Sequence, residues 1–124
     1  MNIIRVELLP DFMWGDDVVL LAMDGAGVAT FADALSDAVR LGSSRLEHGG
    51  VMHKFVMEAG AADIEMGENR VVWRLDRTKA VEIVDDLTAI GDGDGPGHNY
   101  VDISTPTTTL VLSRDEYVRV VPPS

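Results

Sequence analysis

The chain has 124 residues, a formal net charge of −11 and no cysteine. Such acidity disfavours binding to nucleic acid or anionic lipid, and the lack of cysteine excludes disulfides, a thiol nucleophile and a cysteine zinc site. No apolar run approaches the roughly 20 residues of a membrane span, and the N-terminus does not resemble a signal peptide. We therefore expect one domain, residues 1–124, in the cytoplasm.

The chain opens with a strand candidate followed by an apolar loop. Residues 2–9 alternate apolar and charged side chains, which predicts a strand that ends at Pro10. The loop at 10–17 carries Phe12 and Trp14. A loop of this composition is expected to cover the core, and Trp14 is a partner-binding candidate if it is exposed.

Two strand-then-helix segments occur at 18–35 and 71–87, and their matching residues lie 52 positions apart: Asp24 with Asp76, Asp33 with Asp85 and Leu35 with Leu87. In each, a run of β-branched, aliphatic or aromatic residues precedes an aspartate, Asp24 or Asp76, at the expected helix N-cap. Apolar residues then recur at spacings of three and four, which predicts an amphipathic helix. Gly91 is expected to end the second helix in the left-handed conformation.

The remaining segments predict two hairpins and an internal repeat. Residues 42–50 are expected to form a loop. The hairpin strands are expected at 51–57 with 61–66, and at 98–104 with 107–112. The similarity of 53–56 to 98–101 adds to the repeat, so we predict two strand–helix–strand–strand units at about 17–66 and 70–112. The predicted fold is α+β, a mostly antiparallel sheet with two helices on one face.

The motifs of known chemistry are incomplete. Asp24–Thr30 (DGAGVAT) lacks the third glycine of a dinucleotide-binding loop, so a tight strand-to-helix turn is favoured. The loop at 91–97 (GDGDGPG) would need glutamate where Ile103 stands to complete a calcium-binding loop.

The histidines and serines also lack a recognisable catalytic or metal-binding pattern. No histidines have zinc-site spacing, although His53 and His98 would begin equivalent strands of the repeat and could share a metal or proton site. No serine lies in a nucleophile motif. We expect no enzymatic activity, cofactor or metal.

Acidic side chains cluster on the predicted helices. Asp33 and Asp37 lie one turn apart on the first helix, and Glu82, Asp85 and Asp86 cluster on the second. Like charges at these spacings destabilise an isolated helix, and a basic partner surface would offset that cost. Lysine is almost absent from the chain, and this bias is also typical of a GC-rich genome or a salt-adapted proteome.

The order of elements, together with GHNYVDI at 97–103 and LVLSRDEY at 110–117, is similar to small bacterial proteins grouped with the immunity proteins of polymorphic toxin systems. The resemblance covers the C-terminal half. It implies a cytoplasmic protein that inhibits a toxin by binding it, and it assigns no functional residues. The alternatives are a self-associating module, in which a sheet edge or the 10–17 loop pairs with another copy, and a regulator that binds a small molecule or metal.

Overall fold

The computed structural model describes residues 2–13, 15–93 and 96–115, which contain two helices and eight strands. In chain order they are β1 (Ile4–Met13), β2 (Asp16–Met23), α1 (Gly25–Leu41), β3 (Ser43–His48), β4 (Val51–Met57), β5 (Ala62–Met66), β6 (Arg70–Leu75), α2 (Arg77–Gly91), β7 (Gly97–Asp102) and β8 (Thr109–Arg114).

The strands form two four-stranded sheets, with orders β1-β2-β8-β7 and β3-β4-β6-β5. Pairing within each sheet is antiparallel except at its centre, where β2 runs parallel to β8 and β4 runs parallel to β6. The predicted α+β class and the predominance of antiparallel pairing are confirmed. The strands, however, form two sheets where a single sheet was expected.

Each half of the chain has the element order β-β-α-β-β, and each half contributes one hairpin to each sheet. The hydrogen bonds follow the same symmetry. The hydroxyl of Ser44 on β3 donates to the carbonyl of Ala34 on α1 at 2.6 Å. The amide of Asn99 on β7 donates to the carbonyl of Asp86 on α2 at 3.5 Å. These two carbonyls lie 52 residues apart, the same offset as the two predicted N-caps.

The predicted alignment of the halves is wrong downstream of the helices. His53 lies in β4, the last strand of the first half, whereas His98 lies in β7, the first strand after α2. The segment 43–48, predicted as a loop, is the strand that corresponds to β7. Its single large apolar side chain, Leu46, gave too weak an alternation to indicate a strand.

The first predicted hairpin is also wrong. Strands β4 and β5 follow each other in the chain but do not pair, because β6 lies between them and pairs with both. The turn at 58–61 does connect β4 to β5, but these two strands lie on opposite sides of β6. The second predicted hairpin is confirmed as β7 and β8.

Two predicted ends are corrected by local geometry. Strand β1 continues through Pro10 to Met13, with a register irregularity between Leu9 and Met13. Proline is tolerated there because β1 is an edge strand. Helix α2 includes Gly91, and its C-cap is Asp92 in a right-handed conformation. The left-handed glycine cap occurs instead on α1, at Gly42 with φ 95°.

The main core lies between the two helices and the inward faces of both sheets. Under α1 it is aromatic: the ring of Phe31 meets those of Phe55 and Trp73 edge-on, each at a centroid distance of 5.1 Å. Phe55 and Trp73 are register partners on β4 and β6, so the parallel pairing brings these two rings together. Edge-on contacts of this kind add about 1 kcal/mol each to the burial of area.

The turn from β2 into α1 is as tight as the glycine-containing motif predicted. A Cβ on Gly27 would lie 1.9 Å from the carbonyl oxygen of Ile3, so only glycine fits. The carboxylate of Asp24 accepts from the N–H of Gly27 at 2.8 Å and from the N–H of Ile3 at 2.9 Å. The helix N-terminus is thereby occupied by protein groups, which opposes phosphate binding at this turn.

The two equivalent caps give a matched test of this turn. Asp76 accepts from the N–H of Lys79 at 2.6 Å and caps only α2, whereas Asp24 both caps α1 and holds β1. We expect Asp76→Ala to lower the unfolding free energy by about 1 kcal/mol and Asp24→Ala by about 2 kcal/mol. Urea denaturation measures both, and equal losses would show that the bond from Ile3 adds no stability.

Candidate functional site

The two helices pack side by side and antiparallel. A Cβ on Gly91, at the end of α2, would lie 3.2 Å from the side chain of Val28 in the first half of α1. At the other end, the guanidinium of Arg77 donates to the carbonyl of Val39 at 3.1 Å. The buried stripe of each helix faces the core, so the opposite faces of the pair form one outer surface.

The five acidic candidates of the helices lie on this helix pair but in different environments. Asp33 and Asp85 are equivalent by the 52-residue offset and are both exposed. Neither forms an ion pair with any described residue. Asp37 pairs with Arg40 at 2.9 Å.

On α2, the carboxylates of Glu82 and Asp86 interact with neighbouring groups. Glu82 pairs with Lys79 at 3.0 Å. Asp86 is partly buried, and burial raises the pKa of its carboxyl, with further upward contributions from Glu82 and Asp85 and an opposing one from Lys79. Glu82 and Asp85 are therefore close enough to Asp86 to affect the protonation of its carboxyl.

The sixth candidate, Trp14, lies outside the described residues. Its neighbour Phe12 packs against an apolar cluster on the outward face of β2 and β8. That cluster contains Val18, Leu20 and Val111, all buried. The expected covering role of the 10–17 segment is thus seen for Phe12, while the role of Trp14 stays a prediction.

Sequence analysis missed a second charged surface, on the outward face of β3, β4 and β6. There Arg45 lies directly opposite Lys54, and Arg70 lies on the next strand, opposite Met52. All three cations are exposed. Identifying this surface requires knowing that β4 pairs with β6, and the order of the strands in the sequence does not indicate that pairing.

The histidines do not form a shared site. His53 is buried in the main core, with only 1% of its surface exposed, and its Nδ1 accepts from the indole N–H of Trp73 at 3.3 Å. His98 is exposed on the other sheet, where its ring meets that of Tyr100. Burial, with a smaller effect of His48, lowers the pKa of His53 to about 4.

The glycine-rich loop after α2 has its carbonyls directed at an arginine. The guanidinium of Arg114 on β8 donates to the carbonyls of Ile90, Gly91 and Gly93. A cation at this place suits the negative end of the helix dipole. These oxygens are therefore engaged by a protein cation. Within 2–13, 15–93 and 96–115, no three histidine or carboxylate side chains are grouped as metal ligands.

Neither described helix has the length and hydropathy needed to cross a membrane.

The comparisons with known proteins bear on the fold. Protein-family profiles give no match, and no curated protein matches significantly. Among solved structures, the chain is similar to the crystal structure of Drosophila Suppressor of Fused, with a TM-score of 0.50 and 13% identity over 82% of this chain. The match spans 24% of that longer chain, and at this identity it shows a shared fold alone.

The buried histidine generates a prediction about acid stability. Because the pKa of His53 is about 4 when folded and near 6.5 when unfolded, protons bind the unfolded state preferentially as pH falls from 6.5. The stability present above pH 6.5 is therefore lost towards pH 4. We expect the wild type to lose about 2 kcal/mol more unfolding free energy than His53→Gln between roughly pH 7 and pH 4.5.

Glutamine retains an acceptor for the indole of Trp73 but does not titrate in this range. Urea denaturation of the wild type and of His53→Gln at each pH provides the measurement. Parallel pH profiles for the wild type and His53→Gln would contradict the assignment of this acid sensitivity to His53.

Proposed function

We propose that this chain is a non-enzymatic protein-binding domain that uses the outer surface of its α1–α2 pair to bind a basic partner. Its most specific form is an immunity-type inhibitor that acts in the cytoplasm and blocks a basic toxin by covering it. The observation that carries the proposal is the placement of Asp33 and Asp85 at equivalent positions on the outer surface of the helix pair. Both are exposed, and neither pairs with a described cation.

The electrostatics of α2 supports the same surface. Glu82, Asp85 and Asp86 occupy one stretch of helix, and the raised pKa of Asp86 reports a cost of holding its carboxylate charged there. Lysine or arginine side chains of a partner would lower that cost on binding. At low ionic strength, the net charge of −11 would also attract a basic protein from a distance and accelerate encounter.

The competing function is self-association. Strands β3 and β7 each end a sheet, and no other described strand pairs with their outer edges. Such an edge can accept a strand from a second copy. A mass in solution that rises with concentration would favour this function, whereas the helix surface predicts a monomer that binds a different, basic protein.

Charge reversal on the helix pair tests the proposed function. The wild type and Asp33→Lys/Asp85→Lys are immobilised and exposed to lysate of the native host, and retained proteins are eluted with rising salt. We expect the wild type to retain one basic protein, and the double variant to lose at least about tenfold in affinity for it, mainly through a slower on-rate.

The control is Glu68→Lys/Asp102→Lys, which changes the net charge equally at exposed sites away from the helices. It should keep the partner. If both double variants lose the same affinity for the partner, the loss is due to net charge and not to the helix surface. If Asp33→Lys/Asp85→Lys binds the partner as tightly as the wild type does, the helix surface is not the binding site. Inhibition is then tested by expressing the captured protein with and without this chain and measuring growth.

A further inference from the structure

Four of the ten basic residues of this acidic chain lie on one surface, the outward face of the β3-β4-β6-β5 sheet. They are Arg45, Lys54, Arg70 and Arg74. Arg45 and Lys54 are direct cross-strand neighbours, and Arg70 is diagonal to Lys54. Like charges directly opposite each other destabilise a sheet, so this arrangement costs stability in the isolated chain.

The described carboxylates on the same face are Glu47, Asp63 and Glu65, and of these only Glu65 forms an ion pair with one of the four cations. Arg74 pairs with Glu65 on β5 at 2.6 Å. Arg45, Lys54 and Arg70 form no ion pair with any residue in the described part of the chain. The chain has 21 acidic residues, so a shortage of carboxylates does not explain this.

The fold itself does not require charge at these positions. The symmetry of the halves relates Arg70 and Lys54 to Val18 and Val111 on the other sheet, which are buried in its outward apolar cluster. The position of Arg45 corresponds to that of Tyr100 on β7. Equivalent backbone positions therefore accept apolar or aromatic side chains on one sheet and carry exposed cations on the other.

An unpaired sheet edge runs beside the cations. Of the two edges of this sheet, the one at β5 is covered: Ile64 donates to the carbonyl of Thr105 at 2.9 Å, and Ser104 donates to that of Ala62 at 2.8 Å. The edge at β3 is not paired by any described residue. Next to this edge, a shallow groove of about 740 Å³ crosses the outward face of β3, β4 and β6, and it is lined by Ser43, Ser44, Arg45, Met52, Lys54 and Arg70.

We propose that an acidic, extended segment of a partner protein adds as a strand beside β3, with acidic side chains directed towards the cations that line this groove. Backbone hydrogen bonds to the free edge would supply affinity, and every second side chain of the segment would lie on the same face as Arg45. A carboxylate there would be about 5 Å from the backbone of Arg45, one strand spacing, and about 10 Å from that of Lys54, two spacings, a gap that the long lysine side chain shortens. The net negative charge of the chain does not prevent this, because charges beyond about 8 Å are largely screened at physiological salt.

A peptide of defined pattern tests the proposal. The probe is a fluorescein-labelled peptide of roughly ten residues, a common strand length, with glutamate at alternate positions and threonine or valine between. Its anisotropy is titrated with the full chain at roughly 0.15 M salt, a physiological ionic strength. We expect saturable binding, and a loss of about tenfold or more in Arg45→Glu and in Lys54→Glu.

Arg40→Glu, on the exposed face of α1, changes the charge equally and should bind the peptide as the wild type does. Amide hydrogen exchange of the complex should show new protection within β3. If a charge-reversed variant fails to fold, the neutral variants Arg45→Gln and Lys54→Gln should still weaken binding measurably. Wild-type affinity in those neutral variants would overturn the proposal.

Three further outcomes would also overturn it. Equal binding of a peptide of the same composition with all its glutamates in one block would show simple anion attraction. Displacement of the peptide by inorganic pyrophosphate at similar concentration would indicate a small-anion site. A dimer in solution that Arg45→Glu converts to monomer would make a second copy of this chain the occupant. None of these results depends on whether the helix surface binds a basic partner.

Discussion

The parallel pairing between halves is the constraint on which the whole structure depends. Each sheet consists of two antiparallel hairpins, and a lone hairpin is at most marginally stable in water. Among the described strands, the two hairpins of each sheet are joined only where β2 pairs with β8 and β4 pairs with β6. Leu21 thereby lies beside Leu112, a contact between distant parts of the chain. Neither half can complete a sheet alone, so the two halves stabilise each other.

The approximate symmetry also shows which features the fold requires and which it merely permits. The aspartate caps and the bonds from Ser44 and Asn99 to the helices recur in both halves, so they belong to the architecture. The aromatic cluster under α1 does not recur, since Leu21 and Leu112 take the places of Trp73 and Phe55 on the other sheet. Differences between equivalent positions therefore identify side chains that were free to acquire a separate role.

The parts of the fold that were predicted correctly depend on local signals. As helix caps, Asp24 and Asp76 each accept from the residue three positions further on, and the buried strands before them are nearly continuous apolar runs. Strand β3 was missed because its exposed side chains are polar and Leu46 is its single large apolar side chain. The pairing of β4 with β6 was missed because sequence order suggests that neighbouring strands pair. The predicted left-handed end of α2 at Gly91 was wrong: the C-cap is Asp92, and Arg114, distant in sequence, binds the carbonyls of Ile90, Gly91 and Gly93.

The two candidate surfaces also differ in how well the sequence alone predicts them. The acidic set could be proposed from sequence because Asp33, Asp37, Glu82, Asp85 and Asp86 need only helical periodicity to be placed. The basic set could not, because Arg45, Lys54 and Arg70 come from three strands whose order was unknown. Net charge was also misleading, since a total of −11 says nothing about how ten cations are distributed.

The two surfaces are held apart by the architecture, and this separation lets them carry opposite charge. Ser44 and Phe55 point towards α1 and the core, whereas their chain neighbours Arg45 and Lys54 point away from it. The sheet and the helix layer therefore lie between the cations and the outer surface of the helix pair. Packed layers are about 10 Å apart, and charges are screened beyond about 8 Å at physiological salt. Each surface consequently acts on its own surroundings, and a partner meets the local charge of the face it approaches.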